Sequence, residues 1–268
     1  MTIRILAALL CFLSISKSSL VAAEPRDVVF KSQFDGTEQR YVELLPDGFD
    51  AQQSHSIVIA LHGHGSDRWQ FVKQDRGECK GTRDVANKHG MIFISPDYRA
   101  KTSWMGPAAE ADTVQIIDEV KQQHRITQVI VCGGSMGGTS ALTFAALHPE
   151  LVDGVVSLNG TANHVEYTQF QDAISASFGG NKQQKPDEYR KRSAELWPDK
   201  LTMPIAFTTG GKDTLVPPDS ILRLYEVLQK QGRRVKLLHR PNGGHATDLA
   251  DTTEALEFVI GELKKSAQ

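Results

Sequence analysis

The chain has 268 residues, a formal net charge of −2 at pH 7, 40% hydrophobic residues and 23% charged residues. This is ordinary globular composition, and the length favours one domain with one sizeable core. Acidic and basic residues are nearly balanced, so the composition excludes the class of proteins that bind polyanions through a strongly basic surface. We therefore expect neither a nucleic-acid partner nor attraction to an anionic membrane.

The first 23 residues are predicted to form a secretory signal peptide. Arg4 supplies a positive charge, residues 5–15 are apolar, and residues 21–23 (VAA) are the small residues that precede a cleavage site. An apolar run this short does not span a bilayer comfortably, because a spanning helix needs roughly 20 residues. We expect an exported protein, secreted or periplasmic, with a mature domain at 24–268 and no stable membrane anchor. An uncleaved anchor or a buried helix is the alternative interpretation.

Eight short runs of apolar and β-branched residues are predicted to be strands. The first two, near 28–32 and at 39–45, are joined by a short turn at Asp35-Gly36, which favours antiparallel pairing. The later runs lack polar alternation, which is typical of strands covered on both faces of a parallel sheet. These later runs are 57–61, 91–95, 129–132, 152–158, 205–209 and 235–238.

Helical patterns separate the later strands. One stripe contains Val114, Ile117 and Val120, residues 139–147 are rich in Ala and Leu, and a third pattern covers 218–232. This alternation predicts a mostly parallel sheet with helices on both faces. Residues 161–201 have no strand signal and are polar. They are predicted to form either an inserted helical cap over the strand ends or a solvated surface excursion.

Ser135 lies in the segment GGSMGG, residues 133–138, between a predicted strand and a predicted helix. Ligands of parallel α/β sheets bind beyond the carboxyl ends of the strands. A sharp strand-to-helix turn would present a serine hydroxyl there, and a bulky side chain two positions away would collide with the strand or the helix. Gly133 and Gly137 occupy those two positions, which is the G-x-S-x-G pattern of a nucleophilic serine.

A nucleophilic serine needs a base, and the base needs a group that orients it. The chain has nine histidines, so position must discriminate among them. His245 follows the last predicted strand, and Asp213 follows the strand before it, so both should lie at the sheet edge that carries Ser135. We predict Ser135 as nucleophile, His245 as base and Asp213 as the orienting acid.

Two backbone N–H groups are predicted to bind the oxyanion of the reaction. The N–H of Met136 lies at a helix N-terminus, where donors are unpaired and the dipole favours negative charge. The second is the N–H of His64, in the glycine-rich loop HGHG at 62–65. His62 and His64 could instead be metal ligands, but no third ligand lies near them in sequence, so we predict no metal.

Several other residues are predicted to reach the same edge of the sheet and to line a substrate pocket. They are Trp104, Asn159 and His164, with Asn163 as a comparable candidate; packing within loops is the alternative interpretation. Cys79 and Cys132 could pair in an exported protein. Alternatively, Cys132 is a small buried hydrophobe within a strand.

Four motifs resemble those of the α/β-hydrolase superfamily: HGHG at 62–65, GGSMGG at 133–138, GGKD at 210–213 and GGHAT at 243–247. The resemblance covers nearly all of residues 38–265. It is closest to the branch with dienelactone hydrolases, polyhydroxybutyrate depolymerase-like and feruloyl or acetylxylan esterases, and prolyl oligopeptidase catalytic domains. It implies the α/β-hydrolase fold, an eight-stranded and mostly parallel sheet flanked by helices, and no cofactor.

The resemblance also implies an activity, namely the hydrolysis of a small-molecule or carbohydrate ester through an acyl-enzyme on Ser135. Serine stands where dienelactone hydrolases of the standard type carry cysteine, and the propeller domain of prolyl oligopeptidases would need several hundred further residues. Both departures favour a stand-alone carboxylesterase. The alternatives are an exported serine peptidase of the prolyl oligopeptidase-like branch and a non-catalytic binding module with the hydrolase fold.

Overall fold

The computed structural model describes residues 24–266, which are organised around one eight-stranded sheet. The predicted signal peptide, residues 1–23, lies outside the described residues. The strands are β1 (Arg26–Lys31), β2 (Glu38–Leu44), β3 (His55–Leu61), β4 (Ile92–Pro96), β5 (Ile126–Gly134), β6 (Gly154–Leu158), β7 (Ile205–Gly210) and β8 (Val235–Arg240). All eight fall where the apolar runs predict them.

The strand order across the sheet is β1-β2-β4-β3-β5-β6-β7-β8. β2 pairs antiparallel with both β1 and β4, and every other neighbouring pair is parallel. The parallel strands therefore end at one edge of the sheet, and the loops that follow them meet there. The predicted fold class, a mostly parallel sheet flanked by helices, is confirmed.

Helices cover both faces of the sheet. They are α1 (Gln70–Lys73), α2 (Gly77–Lys88), α3 (Pro107–Gln123), α4 (Met136–Leu147), α5 (Gln171–Phe178), α6 (Pro186–Lys191), α7 (Asp219–Lys230) and α8 (Leu249–Ser266). Short 3-10 turns occupy Ala100–Thr102, Ala194–Leu196 and Pro198–Lys200. Helix α2 was not predicted, because its sequence, GECKGTRDVANK, has few apolar residues. Its buried face mixes apolar and polar residues: Glu78, Cys79, Gly81, Thr82, Val85 and Ala86.

Two hydrophobic cores lie on opposite faces of the sheet, as the alternation of side chains along a strand requires. Ile57 and Ile59 of β3 belong to the core under α3, α4 and α7. The intervening Val58 belongs to the core under α2 and α8. Because both faces of the central strands are buried, these strands read as continuous apolar runs. The same burial places Cys79 and Cys132 in the second core as free thiols.

The segment 161–201 is helical, with α5, α6 and two of the 3-10 turns, and Arg192 fastens it to the rest of the fold. The Arg192 side chain is fully buried. It donates hydrogen bonds to Glu110 Oε2 at 2.6 Å, to the carbonyl of Met105 at 2.8 Å and to Glu188 Oε2 at 3.1 Å. A buried charge needs such partners, because desolvation without them costs several kcal/mol.

We expect Glu110→Gln to destabilise the fold at pH 7 by about 3 kcal/mol. Burial acts to raise the pKa of Glu110, but the hydrogen bond from His148 and the charge of Arg192 outweigh it and lower this pKa from 4.5 to about 2. The folded-state pKa is therefore depressed, so the contribution is present above pH 4.5 and is lost as pH falls toward 2.

Urea denaturation at pH 7 and at pH 3 would measure this effect. The matched control is Glu150→Gln, which removes an exposed partner of the same His148 and should change stability by less than about 0.5 kcal/mol. A Glu110→Gln penalty that is equal at both pH values would contradict the assignment to this ion pair.

Candidate active site

Ser135 sits at a sharp turn between β5 and α4. Its backbone angles are φ 58° and ψ −118°, a conformation that costs free energy in a residue with a Cβ and is found chiefly at functional sites. The turn is packed so closely that a Cβ on Gly137 would lie 1.9 Å from the carbonyl oxygen of Leu61. A Cβ on Gly133 would lie 2.4 Å from the backbone of Gly137. Both glycines are therefore required by the turn.

The structure brings together the three side chains that the sequence singled out. Ser135 Oγ lies 2.8 Å from His245 Nε2, and His245 Nδ1 lies 2.7 Å from Asp213 Oδ2. The other oxygen of Asp213 accepts hydrogen bonds from the N–H groups of Leu215 and Val216, at 3.0 and 2.9 Å. Asp213 is thus held as an acceptor. His245 donates to it from Nδ1, which leaves Nε2 free to accept the Ser135 proton.

The loop that carries His245 is fastened by Asn159. The Asn159 Oδ1 accepts hydrogen bonds from the hydroxyls of Thr208, at 3.0 Å, and Thr247, and its Nδ2 donates to the carbonyl of Gly244 at 3.3 Å. Asn159 is 5% exposed, so the structure places it behind His245 and not in the open cavity. By binding the backbone carbonyl of Gly244, Asn159 fixes the position of the adjacent His245.

The two predicted oxyanion donors lie on either side of Ser135. The N–H of Gly63 donates to Gln70 Oε1 at 2.7 Å, and the N–H of Gly65 donates to the carbonyl of Lys101 at 2.6 Å. Within residues 24–266, the N–H of His64 between them has no such acceptor, and neither has that of Met136. A Cβ on Gly63 would lie 3.8 Å from the Cβ of Ser135, so this loop passes directly beside the serine.

The imidazole of His64 is held by two aromatic side chains. The buried Trp104 donates its indole N–H to His64 Nδ1 at 3.2 Å, and the Phe170 ring centroid lies 4.3 Å from that of His64. Burial lowers the pKa of His64, which favours the neutral ring that can accept this bond. Trp104 therefore supports the oxyanion loop from the side away from the cavity, although the sequence analysis predicted that it lines the substrate pocket.

A cavity of about 170 Å³ opens beside the serine. The residues that line it are Gly63, His64, Gln70, Arg76, Glu78, Ser135, Phe170, Leu215 and His245. The predicted pocket residues Trp104, Asn159 and His164 are buried outside this lining. His164 lies under the cap beside Thr143, 3.4 Å from its hydroxyl, and burial lowers its pKa to about 3. Asn163 donates to Glu195 at 2.7 Å, outside the same lining.

Five lining residues were missed by the sequence analysis: Gln70, Arg76, Glu78, Phe170 and Leu215. None of them lies in a recognisable motif, and they come from three separate segments of the chain. Phe170 gives one structural signal, since its φ is 55°, which is uncommon for an aromatic residue. Glu78 gives another, because its side chain is only 8% exposed although it carries a carboxyl group.

The two histidines that the sequence suggested as alternative metal ligands are occupied by protein groups. The ring nitrogens of His62 lie 2.9 Å from the carbonyl oxygen of Gly63 and 3.2 Å from that of Asp97, and His64 accepts from Trp104. Over the described residues, no group of three or more His, Cys, Asp or Glu side chains is arranged to hold a metal ion. No helix within 24–266 combines the length and the apolar character needed to cross a membrane.

A family model described as the prolyl oligopeptidase family matches residues 85–265, which is more than half of the chain. Among curated proteins, the sn-1-specific diacylglycerol lipase ABHD11 of Xenopus laevis is 33% identical over 143 residues. That alignment covers 51% of this chain and 43% of the lipase, so the match spans less than half of the relative's length.

Solved structures with the same fold include puromycin hydrolase, with a TM-score of 0.73 and 18% identity over 91% of this chain and 40% of that chain. The fluorophosphonate-binding serine hydrolase FphF of Staphylococcus aureus has a TM-score of 0.68 and 17% identity over 91% of this chain and 99% of its own. At these identities the likeness concerns the fold alone.

Proposed function

Because the chain belongs to the prolyl oligopeptidase family of serine hydrolases, we propose that it hydrolyses small carboxylic esters through an acyl-enzyme on Ser135. The single observation that carries the proposal is the unbroken pair of hydrogen bonds from Ser135 Oγ through His245 to Asp213, at 2.8 and 2.7 Å. Distances of this size permit proton transfer without rearrangement. The chain's own residues supply every group that this chemistry needs.

Acylation begins when His245 Nε2 takes the proton of Ser135 and the serine oxygen bonds to the ester carbonyl carbon. The resulting oxyanion accepts hydrogen bonds from the N–H groups of His64 and Met136. Each donor of this kind typically lowers the barrier by about 3–4 kcal/mol. The bond to the alcohol oxygen then breaks, and His245 gives its proton to the departing alcohol.

Deacylation repeats these steps with water. His245 takes a proton from a water molecule, the hydroxide attacks the acyl carbonyl, and the same two N–H groups bind the second oxyanion. The proton then returns to Ser135 as the carboxylic acid leaves. Asp213 stabilises the His245 cation during both steps. Since His245 must be neutral to accept a proton, activity falls in acid.

Ester hydrolysis is preferred to peptide hydrolysis for two reasons. The Xenopus laevis relative bears the name of a lipase, and lipases cleave esters. The cavity of about 170 Å³ beside Ser135 has room for a small acyl or alcohol group. A serine peptidase is the second candidate, because the family model matches residues 85–265 and is named for an oligopeptidase.

One experiment separates these candidates. The purified protein would be labelled with a fluorophosphonate probe and assayed on an ester and an amide that share the same acyl group. We expect labelling, hydrolysis of the ester and no detectable hydrolysis of the amide. Turnover of the amide would favour the peptidase, because a serine peptidase also cleaves the corresponding ester and only the amide distinguishes the two activities. Absence of labelling would favour a non-catalytic binding module, since only an activated serine reacts.

Export is part of the same proposal, and it rests on the sequence of residues 1–23. Arg4, the apolar run that follows it and the small residues before Glu24 support a cleaved signal peptide. The mass and N-terminal sequence of protein recovered from periplasm or medium would test this. A mature chain that still contains Arg4 would contradict it.

A further inference from the structure

The ring of His64 has one nitrogen that accepts a hydrogen bond and one that donates. The indole N–H of Trp104 lies 3.2 Å from His64 Nδ1, and an indole nitrogen can only donate. Nδ1 is therefore the nitrogen without a hydrogen. Because burial lowers the pKa of His64 and favours the neutral ring, the single ring hydrogen is on Nε2.

Trp104 is held firmly enough to fix this tautomer. Its side chain is fully buried, and His64 is the acceptor of its indole N–H. Its backbone φ is 46°, an uncommon value for an aromatic residue that persists only where the surrounding structure enforces it. The Phe170 ring packs on the His64 ring with centroids 4.3 Å apart, so rotation of the imidazole would disturb both neighbours.

The Nε2–H group of His64 is left as a free donor. Among the described residues it has no acceptor, since Trp104 is the hydrogen-bond partner of this ring and binds Nδ1. The unpaired side-chain atoms that the described part of the chain buries include Nδ1 of His164 but not Nε2 of His64, so this atom reaches open space. Acyl transfer as proposed uses only the backbone N–H of His64 and leaves the ring donor without a role.

His64 lines two cavities. The first is the cavity of about 170 Å³ that contains Ser135, and the second has a volume of about 340 Å³. Phe170 also lines both cavities. The second cavity is completed by Gln171, Asp172 and Ala173. A substrate group that extends from Ser135 into the second cavity therefore passes the His64 ring.

The surroundings of the ring indicate a neutral acceptor. A neutral imidazole offers a donor without charge, and Asp172 is an exposed carboxylate of the second cavity that repels anions. Gln171 adds no free donor, because its amide group donates to the carbonyls of Tyr167 and Gln169. An ether or carbonyl oxygen meets these conditions. Since the backbone N–H of His64 binds the oxyanion, this second oxygen lies within a few bonds of the scissile carbonyl.

We propose that the His64 ring determines specificity by donating its Nε2–H to a second, neutral oxygen of the substrate. The preferred substrates are then esters with an additional ether or carbonyl oxygen close to the scissile carbonyl, on the acyl or the alcohol part. The inference rests on the proposed ester hydrolysis and adds the substrate group that a side chain recognises.

The kinetic test uses two pairs of esters in which an ether oxygen replaces one CH₂ group. The acyl pair is ethyl methoxyacetate and ethyl butanoate, and the alcohol pair is 2-methoxyethyl acetate and butyl acetate. A pH-stat assay gives, for each pair, the ratio of kcat/KM for the ether to that for the alkyl ester. Dividing the wild-type ratio by that of His64→Phe removes the intrinsic reactivity of the esters. We expect a quotient of about 3–10 for at least one pair, the effect of one lost neutral hydrogen bond.

Two further variants accompany His64→Phe. Trp104→Phe keeps an aromatic ring but removes the donor to Nδ1, so the hydrogen of His64 can move to Nδ1 and the ratio of the favoured pair should fall. The matched control is His89→Phe, which makes the same change at a histidine that pairs with Glu257 outside both cavities. It should leave both ratios unchanged.

The tautomer can be checked without any substrate. Nitrogen-15 NMR of histidine-labelled protein would identify the His64 signals as those missing in His64→Phe. We expect the pattern of a neutral ring with its hydrogen on Nε2. A hydrogen on Nδ1 would overturn the inference whatever the kinetics.

The kinetic outcomes separate this inference from the proposed function. Quotients near one for both pairs overturn the inference, although ester hydrolysis stands. Equal losses on all four esters in His64→Phe give the same quotients and mean that the ring only supports the oxyanion loop. Wild-type protein that cleaves none of the four esters, and that no fluorophosphonate labels, removes the proposed function and this inference with it.

Discussion

Replacing Ser135 with alanine is expected to lower kcat for p-nitrophenyl acetate by about 10⁴–10⁶-fold. The variant loses the oxygen that forms the acyl-enzyme, so His245 and the two oxyanion donors can assist only a direct attack by water. Fluorophosphonate labelling should disappear with the same substitution. Initial rates with excess substrate, together with gel-based detection of the labelled protein, would measure both effects.

The matched control for this prediction is Ser140→Ala, which changes another buried serine of α4. We expect this control to retain activity within a few-fold and to keep its labelling. Circular dichroism should show that both variants are folded. If Ser135→Ala still hydrolysed the ester at the wild-type rate, the acyl-enzyme mechanism would have to be abandoned.

Gly137→Ala is expected to have the largest effect on stability, at least about 3 kcal/mol, and to abolish activity. The new methyl carbon would lie 1.9 Å from the carbonyl oxygen of Leu61 and 2.9 Å from that of His62. Both are backbone atoms where β3 meets the oxyanion loop, so the clash cannot be relieved by rotating a side chain. The helix must move away from the loop, and the His64 N–H then loses its position beside Ser135.

Gly261→Ala on α8 is the matched control, because it makes the same change in a helix where the added carbon meets no atom within 4 Å. We expect it to stabilise the fold by about 0.5–1 kcal/mol, because alanine loses less backbone entropy than glycine in a helix. Thermal and urea unfolding of the two variants would measure effects of opposite sign. A Gly137→Ala protein as stable as the wild type would show that the turn is not packed as described.

Several features were available from the sequence because their causes are local. The strands appear as apolar runs because helices cover both faces of the sheet, so side chains pointing in either direction are apolar. The glycines around Ser135 mark a turn that tolerates almost no Cβ atoms. Asp213 and His245 follow neighbouring parallel strands, so the sheet topology alone brings their loops to one edge.

The sequence by itself therefore determined the fold class, the family and the three side chains that meet at the sheet edge. The tertiary structure alone decided which other groups surround them. Trp104, Asn159 and His164 were expected in the pocket, yet they lie behind it, since reaching the correct edge of a sheet does not set the direction of a side chain.

The other residues that line the cavity could not be inferred for the same physical reason. Gln70 and Glu78 come from helices after β3, and Phe170 comes from the cap, so their proximity depends on how distant segments pack. The residue types in a short segment indicate a tight turn or a buried strand. They do not indicate which distant segments pack against one another. That packing places the carboxyl group of Glu78 against Gly134, the residue before Ser135.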